Sequence, residues 1–363
     1  MRRSKTLLAA VAAPLALAAP AAAHDVAGGH GAGGYTVQAN EVTRGPVPYA
    51  TQNAFLPASI KVHVGDTVTW TTTHGHTVTF LGKLKPQQLP FVMPDPAGST
   101  YEGFTDAAGQ PFHFNGMPKF IFNGRIFGPI GSDVVRDRKR LHNRVLFSQG
   151  PKKPGRTSYR FTKPGVYKYV CLLHPGMDGV VRVVPKAAKI PSPAAVRAVA
   201  KRTEQRNWAR ARKLDKVKPP ANTILAGVGD TTTLIAFKPS VLTVKAGTTV
   251  RIVSGSSTEF HNVVLGPVEY LKTFFRETSL FPEGPGSPNQ VSPVDVYGSD
   301  PERPQIHTGT NHGNGFFVTP VVDKAKYTPL PSNSEVTFTT PGTYTYYCGV
   351  HFPDMKGTIV VTP

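Results

Sequence analysis

Tyr167-Lys168-Tyr169-Val170-Cys171-Leu172-Leu173-His174-Pro175-Gly176-Met177 decides how this chain is read, because it returns, altered, near the C-terminus. The second copy is Tyr344-Thr345-Tyr346-Tyr347-Cys348-Gly349-Val350-His351-Phe352-Pro353-Asp354-Met355. Each is an alternating strand that delivers a cysteine, a histidine three residues later, and a methionine three or four residues after that. A thiolate, an imidazole and a thioether on one short loop suit copper in a trigonal site with a weak axial sulfur. Such a site needs a second histidine, arriving from elsewhere in the chain.

Working outward, the stretch from Phe55 to Val68 matches Phe237 to Val250 at a constant offset of 182, with Phe, Pro, Gly and the final Val coinciding. Ile60, Val62 and Val64 alternate with polar residues, Gly65-Asp66 turns, and Val68 and Trp70 resume one face, which reads as two strands. His76 then opens a strand of its own and is the expected partner histidine; His74 is a turn residue close enough to be its rival. In the second half His261 takes the same place. Phe161, Pro164-Gly165, Cys171 and His174 match Phe338, Pro341-Gly342, Cys348 and His351 at an offset of 177, which becomes 178 only at the methionine. This is an internal duplication with ligand-type residues kept in register.

Composition agrees with an all-β chain. Its 363 residues hold 35 Gly and 35 Pro, many of them punctuating runs of Val, Thr, Tyr and Phe. Residues 1–23 read as a signal peptide: Arg2, Arg3 and Lys5, an apolar run from Leu7 to Ala19, then Ala21-Ala22-Ala23. The mature protein is therefore expected to be exported, to the periplasm, the cell surface or the medium, and no later stretch is long and apolar enough for a transmembrane helix. Two domains are expected from what remains. Two cysteines in an exported chain invite a disulfide. Here a bridge would join equivalent strand ends of different halves, which disfavours it.

The formal charge is +19, or +16 without Arg2, Arg3 and Lys5. Export argues against nucleic acid as the partner, leaving acidic polymers or an acidic redox protein. Residues 24–45 read as a flexible tail, 46–185 and 223–363 as the two domains, and 186–222 as a basic linker. Ser192-Pro193 marks a helix start, and Val196, Val199, Thr203, Asn207, Ala211 and Leu214 share one helical face. Between Lys186 and Lys218 eleven Lys and Arg face only Glu204 and Asp215, so this segment is either a solvated connector or a docking face. Long irregular insertions run from Gly82 to about Pro154, with His113, Met117 and His142, and from Pro267 to Leu330, with His307 and His312.

Both halves resemble cupredoxins, the blue-copper domains of plastocyanin, amicyanin and azurin. The resemblance rests on the lone His, the Tyr-x-Cys-x-x-His-x-x(-x)-Met loop and the closing Val-rich strand after Pro-Gly. It implies a Greek-key β-sandwich in each half and two coppers per chain. One is bound by His76, Cys171, His174 and Met177, the other by His261, Cys348, His351 and Met355. Leu172, Leu173 and Pro175, with Val350, Phe352 and Pro353, would keep water out and form the surface through which His174 or His351 passes electrons.

Electron transfer without catalysis is the leading expectation. A two-domain oxidase or a nitrite-reductase-like enzyme would need further copper sites. The only His-x-His here is His74-Gly75-His76, and no histidine adjoins either cysteine, which argues against a trinuclear cluster. A site built on His113, His142, His307 or His312 remains a rival, as does copper storage or delivery.

Overall fold

Alternation of buried and exposed residues writes most of the strands. In chain order they are β1 (Tyr35–Asn40), β2 (Ala50–Gln52), β3 (Ala54–Leu56), β4 (Ser59–His63), β5 (Thr67–Thr72) and β6 (Gly75–Phe80). Then come β7 (Val92–Pro94), β8 (Phe120–Phe122), the single helical turn α1 (Gly124–Phe127), β9 (Val134–Val135), β10 (His142–Phe147), β11 (Gly155–Phe161), β12 (Gly165–Val170) and β13 (Asp178–Val184). Helix α2 (Pro193–Leu214) follows, then β14 (Thr223–Gly229), β15 (Thr232–Lys238), β16 (Val241–Lys245), β17 (Thr248–Ser256) and β18 (Val264–Leu265). The chain closes with α3 (Val268–Glu277), α4 (Pro293–Tyr297), β19 (Gln305–His307), β20 (Phe317–Val318), β21 (Asn333–Phe338), β22 (Gly342–Tyr347) and β23 (Lys356–Thr362). This is a computed structural model, and it describes residues 34–40, 47–148, 153–277, 290–325 and 328–363. The leader expected at 1–23 lies outside the described residues, and no helix among them is long and apolar enough to cross a membrane.

Each half is built on a pair of sheets, with β7 and β8 forming a separate two-stranded sheet in the first insertion. In the N-terminal half these run β3-β1-β5-β11-β9 and β10-β6-β12-β13-β4; in the C-terminal half β19-β21-β17-β14-β15-β2 and β16-β23-β22-β18-β20. The core of the first sandwich lies between its sheets. Val37, Trp70 and Tyr159 from one meet Ile60, Val78, Tyr169 and Val181 from the other. Trp70 packs edge-on against Phe80, Tyr159 and Tyr169 at centroid distances of 5.2–6.1 Å. Burying each such aliphatic or aromatic side chain contributes about 1.5–3 kcal/mol. The second core repeats it with Ile224, Phe237, Ile252, Phe338, Tyr346 and Ile359.

Tyr35 to Asn40, assigned by sequence to a flexible tail, form β1 instead. Val37 and Ala39 are fully buried, and the strand runs parallel to β5 and antiparallel to β3. A six-residue alternating segment behind a Gly-rich stretch carries little local signal, and its partners are distant in sequence.

The insertions are not independent loops. Phe112 and Phe114 of the first pack with Leu271, Phe274, Val294 and Phe316 of the second in a third apolar cluster. Polar contacts cross the same seam. Tyr101 Oη donates to the Val291 carbonyl at 2.7 Å, and His312 lies 3.2 Å from Asp106 across the seam and 3.4 Å from Asp300 of its own insertion. Strand β2 leaves the first half altogether and pairs with β15.

Helix α2 begins at Ser192, whose hydroxyl accepts from the Ala195 N–H, with Pro193 at the first helical position. Its buried residues are Val196, Ala200, Trp208 and Ala211. Val196 joins the first core, while Trp208 and Ala211 meet Val47, Ala50, Val228 and Leu234. The helix therefore straps the two halves together. Val199, placed on the packing face by sequence, is 41% exposed.

Candidate metal centres

In each half a strand and a loop converge at one end of the sandwich. His76 enters on β6, where it pairs with Leu146 of β10; Cys171 follows β12, and His174 and Met177 come from the turn before β13. That turn is closed by backbone bonds from Cys171 N to the Met177 carbonyl (2.9 Å) and from Met177 N to the His174 carbonyl (3.1 Å). In the second half His261 forms a bridge to Val322, and Cys348 N donates to the Met355 carbonyl at 3.0 Å. Gly227 makes room for this histidine: it sits at φ +66°, and a β-carbon there would lie 2.3 Å from His261 Nε2.

The structure gathers His76, Cys171 and His174 into one donor group and His261, Cys348 and His351 into another, each with its ligating atoms within 4.8 Å of one another. Cys171 Sγ lies 3.7 Å from His76 Nδ1 and 3.5 Å from His174 Nδ1. Cys348 Sγ lies 3.6 Å from His261 Nδ1 and 3.5 Å from His351 Nδ1. A first-row ion at the centre of such a triangle, about 2.0–2.3 Å from each donor, requires donor separations of about 3.6 Å, so the residues fit. Met177 and Met355 are buried in the same clusters as the two cysteines. Two imidazoles, a thiolate and a nearby thioether form a donor set suited to copper, since a thioether suits zinc poorly.

Both cysteines are free and buried, so the disulfide is absent. Burial opposes ionisation of each thiol, but the paired imidazoles outweigh it. His174 and His76 hold Cys171 well below the ordinary thiol range. His261 and His351 hold Cys348 at about 5. Both sulfurs are thus poised as thiolates, the form that binds metal.

Around the sulfurs the halves diverge. The Thr77 backbone N–H donates to Cys171 Sγ at 3.4 Å, and the Thr77 hydroxyl accepts from Leu172 N at 2.8 Å. Its counterpart Asn262 accepts from Gly349 N at 2.7 Å, lies 3.8 Å from Cys348 Sγ and donates to Asp295. Burial, with the nearby Cys348 charge, pushes the Asp295 carboxyl up to about 7.

Glu259 was not anticipated. Its Oε1 lies 3.5 Å from His174 Nε2 and its Oε2 lies 3.7 Å from His351 Nε2. Asn53 Nδ2 donates to it at 2.6 Å. Burial resists its ionisation, but His174 and His351 outweigh that and hold the carboxyl at about 2. In the metal-free protein burial also pulls His351 down, and the Cys348 and Glu259 charges raise it to about 10. The expected electron-passing surface is thereby revised: the outer edges of His174 and His351 turn towards each other, and their side chains are only 12% and 22% exposed. The one sequence signal was an acid two residues before His261 in a basic chain.

The remaining histidines do not join these groups. His74 holds a turn, its carbonyl accepting from Ser148 N at 3.1 Å. His113 and His142 contact the carbonyls of Ser299 and Ser132. His307 is buried among Phe317, Phe338 and Tyr344. Among the described residues these histidines form no third donor group.

In comparison with known proteins, residues 223–362 match a family described as copper binding proteins, plastocyanin/azurin family. No curated protein matches. Among solved structures, auracyanin A from Chloroflexus aurantiacus is 23% identical, covering 39% of this chain and 96% of that one, at a TM-score of 0.24. A purple cupredoxin from Nitrosopumilus maritimus is 20% identical, covering 39% and 100%, at a TM-score of 0.22. A mutant of amicyanin in its Cu(I) form is 20% identical, covering 41% and 89%, at a TM-score of 0.21. Copper is the cofactor to which the donor sets and the family match both point, and it is over residues 223–362 that the chain matches the copper-binding proteins of the plastocyanin/azurin family.

Proposed function

We propose that this is an exported electron-transfer protein with two type 1 copper sites, built on 46–185 and 223–363. The ligands are His76, Cys171, His174 and Met177 in one half and His261, Cys348, His351 and Met355 in the other. The observation that carries this reading is the twice-repeated triangle of one Sγ and two Nδ1 atoms at 3.5–3.7 Å. Bound copper would supply a one-electron couple at each donor group.

The chain's own residues do the rest. β6 and the β12–β13 turn hold one set of donors, the β22–β23 turn and the His261 bridge hold the other, and neither set needs to move between oxidation states. Thr77 steadies the Cys171 thiolate through its backbone N–H, and Asn262 holds the Gly349 N–H beside Cys348. Apolar packing, with Leu173 against the first core and Phe352 against Phe275 and Tyr347, keeps water from the donors. Partners are redox proteins with acidic docking surfaces, met by the exposed basic side chains of α2.

Copper stoichiometry with an absorption spectrum tests this. Wild type should bind one copper in each donor group with an intense thiolate-to-copper band, and Cys171→Ser and Cys348→Ser should each remove one. Variants that leave both colour and copper count unchanged would sink the assignment.

A further inference from the structure

We infer that Glu259 joins the two donor groups into one intramolecular redox pair, by holding the outer edges of His174 and His351 on its two carboxylate oxygens. The inference rests on the proposed function and goes beyond it. Two independent carriers on one chain would each present an imidazole edge to partners, whereas here the edges face a shared carboxylate.

The route has no long gap. From Cys171 Sγ it is 3.5 Å to His174 Nδ1, and from His174 Nε2 it is 3.5 Å to Glu259 Oε1. From Glu259 Oε2 it is 3.7 Å to His351 Nε2, and from His351 Nδ1 3.5 Å to Cys348 Sγ. In both rings Nδ1 faces the sulfur, so with a metal on Nδ1 the proton sits on Nε2 and points at Glu259. A carboxylate presents two oxygens, one to each imidazole edge, whereas an amide of the same shape offers one oxygen and one NH2 donor. The carboxylate is buried, 8% exposed, and a buried charge is retained only where it is matched. Asn53 supplies the third donor and comes from the first half, so residues of both halves fix the bridge. The neighbouring Thr258 methyl lies 4.0 Å from the β-carbon position of Gly176 in the first loop.

The step balances simply. With both donor groups loaded, one electron from a protein donor would reduce the copper held by one group and then pass to the copper held by the other, the first ion being reoxidised as the second is reduced. No bond forms or breaks, and both Nε2 protons stay in place. Glu259 is a positioning residue in this scheme, not a ligand.

The test is fast reduction of the fully copper-loaded protein by less than one electron equivalent per chain. Wild type should show, after the bimolecular phase, a second phase whose rate is independent of protein concentration and which is missing from Cys171→Ser and Cys348→Ser. Glu259→Gln and Glu259→Ala should slow it by about tenfold or more with copper count and both colour bands retained. A wild type that binds both coppers without this phase, or variants that keep its rate, overturns the bridge. A wild type that binds fewer coppers or lacks the colour overturns the underlying function instead. The copper-free protein gives a second readout that survives any loss of loading. In ring-nitrogen NMR, Glu259→Gln should shift the His174 and His351 Nε2 signals together, and movement of one alone or of neither would refute the shared contact.

Discussion

Strand for strand, β3-β1-β5-β11-β9 of the N-terminal half corresponds to β15-β14-β17-β21-β19 of the C-terminal half. The second sheets, β10-β6-β12-β13-β4 and β20-β18-β22-β23-β16, correspond as well. Even the parallel pairs recur: β1 with β5 and β14 with β17, β13 with β4 and β23 with β16. Against that likeness, the differences cluster where the halves meet. Thr77 stands in one half and Asn262 in the other, and two residues before the strand histidine the first half has His74 where the second has Glu259. Sheet order and donors are what each half needs to hold a metal alone; the divergent residues are those that face the other half or tune one sulfur. Duplication kept the first set and released the second.

The largest break in the comparison should come from Gly227. A methyl group there would meet His261 Nε2 at 2.3 Å, at a φ of +66° that side chains resist. Gly227→Ala should therefore eject the C-terminal copper and its colour band while leaving the N-terminal site loaded. Metal analysis showing both sites full would mean that the ring has room to retreat.

Next in size is the strap. Trp208 is 7% exposed and packs with Val47, Ala50, Val228 and Leu234. Trp208→Ala should cost about 3–5 kcal/mol, read by urea unfolding, with the two halves losing their common transition. A loss below about 1 kcal/mol would show that α2 is a solvated connector after all.

Acid separates the two histidines of the second insertion. Burial lowers His307 from 6.5 to about 4. Between those values the unfolded chain takes up a proton that the native chain refuses, so stability falls as pH falls, by about 3 kcal/mol across the window. His312 behaves oppositely: burial lowers it, but the Asp300 and Asp106 carboxylates outweigh that and raise it. Its contribution is full below 6.5 and is lost as pH rises through the raised value. His307→Leu should flatten the acid side of the stability profile, whereas the deficit of His312→Gln should shrink as pH rises. Parallel profiles for the two variants would contradict these environments.

The donor groups were legible because period-two strands and ligand spacings are local, and duplication let each copy check the other. Cys171 and His174 could be placed from one loop, and His76 from the strand it opens. What escaped depends on docking between distant segments. Tyr35–Asn40 is a strand only because β5 and β3 flank it. Two neighbouring stripes of α2 are almost equally apolar, so Val199 and Trp208 exchange roles according to where Ala50 and Leu234 lie. Glu259 becomes a bridge only once the two loops face each other, and no spacing within either half encodes that.

The smallest effect, and the sharpest on the divergence itself, concerns Thr77 and Asn262. Each accepts a backbone N–H from the residue after the cysteine, Leu172 at 2.8 Å and Gly349 at 2.7 Å. Removing the acceptor leaves that donor unpaired at a cost of about 1–3 kcal/mol. Each loss removes two contacts, but Asn262 also donates to the buried Asp295 carboxyl, which is costlier to strip than the hydroxyl contact of Thr77 to Thr79. Asn262→Ala should therefore destabilise the metal-free protein more than Thr77→Ala, by about 1 kcal/mol in urea unfolding. It should also shift the colour band of the C-terminal site alone, because only that thiolate loses its neighbour. Equal costs, or a shift at both sites, would mean that the two sulfurs share one environment despite their different residues.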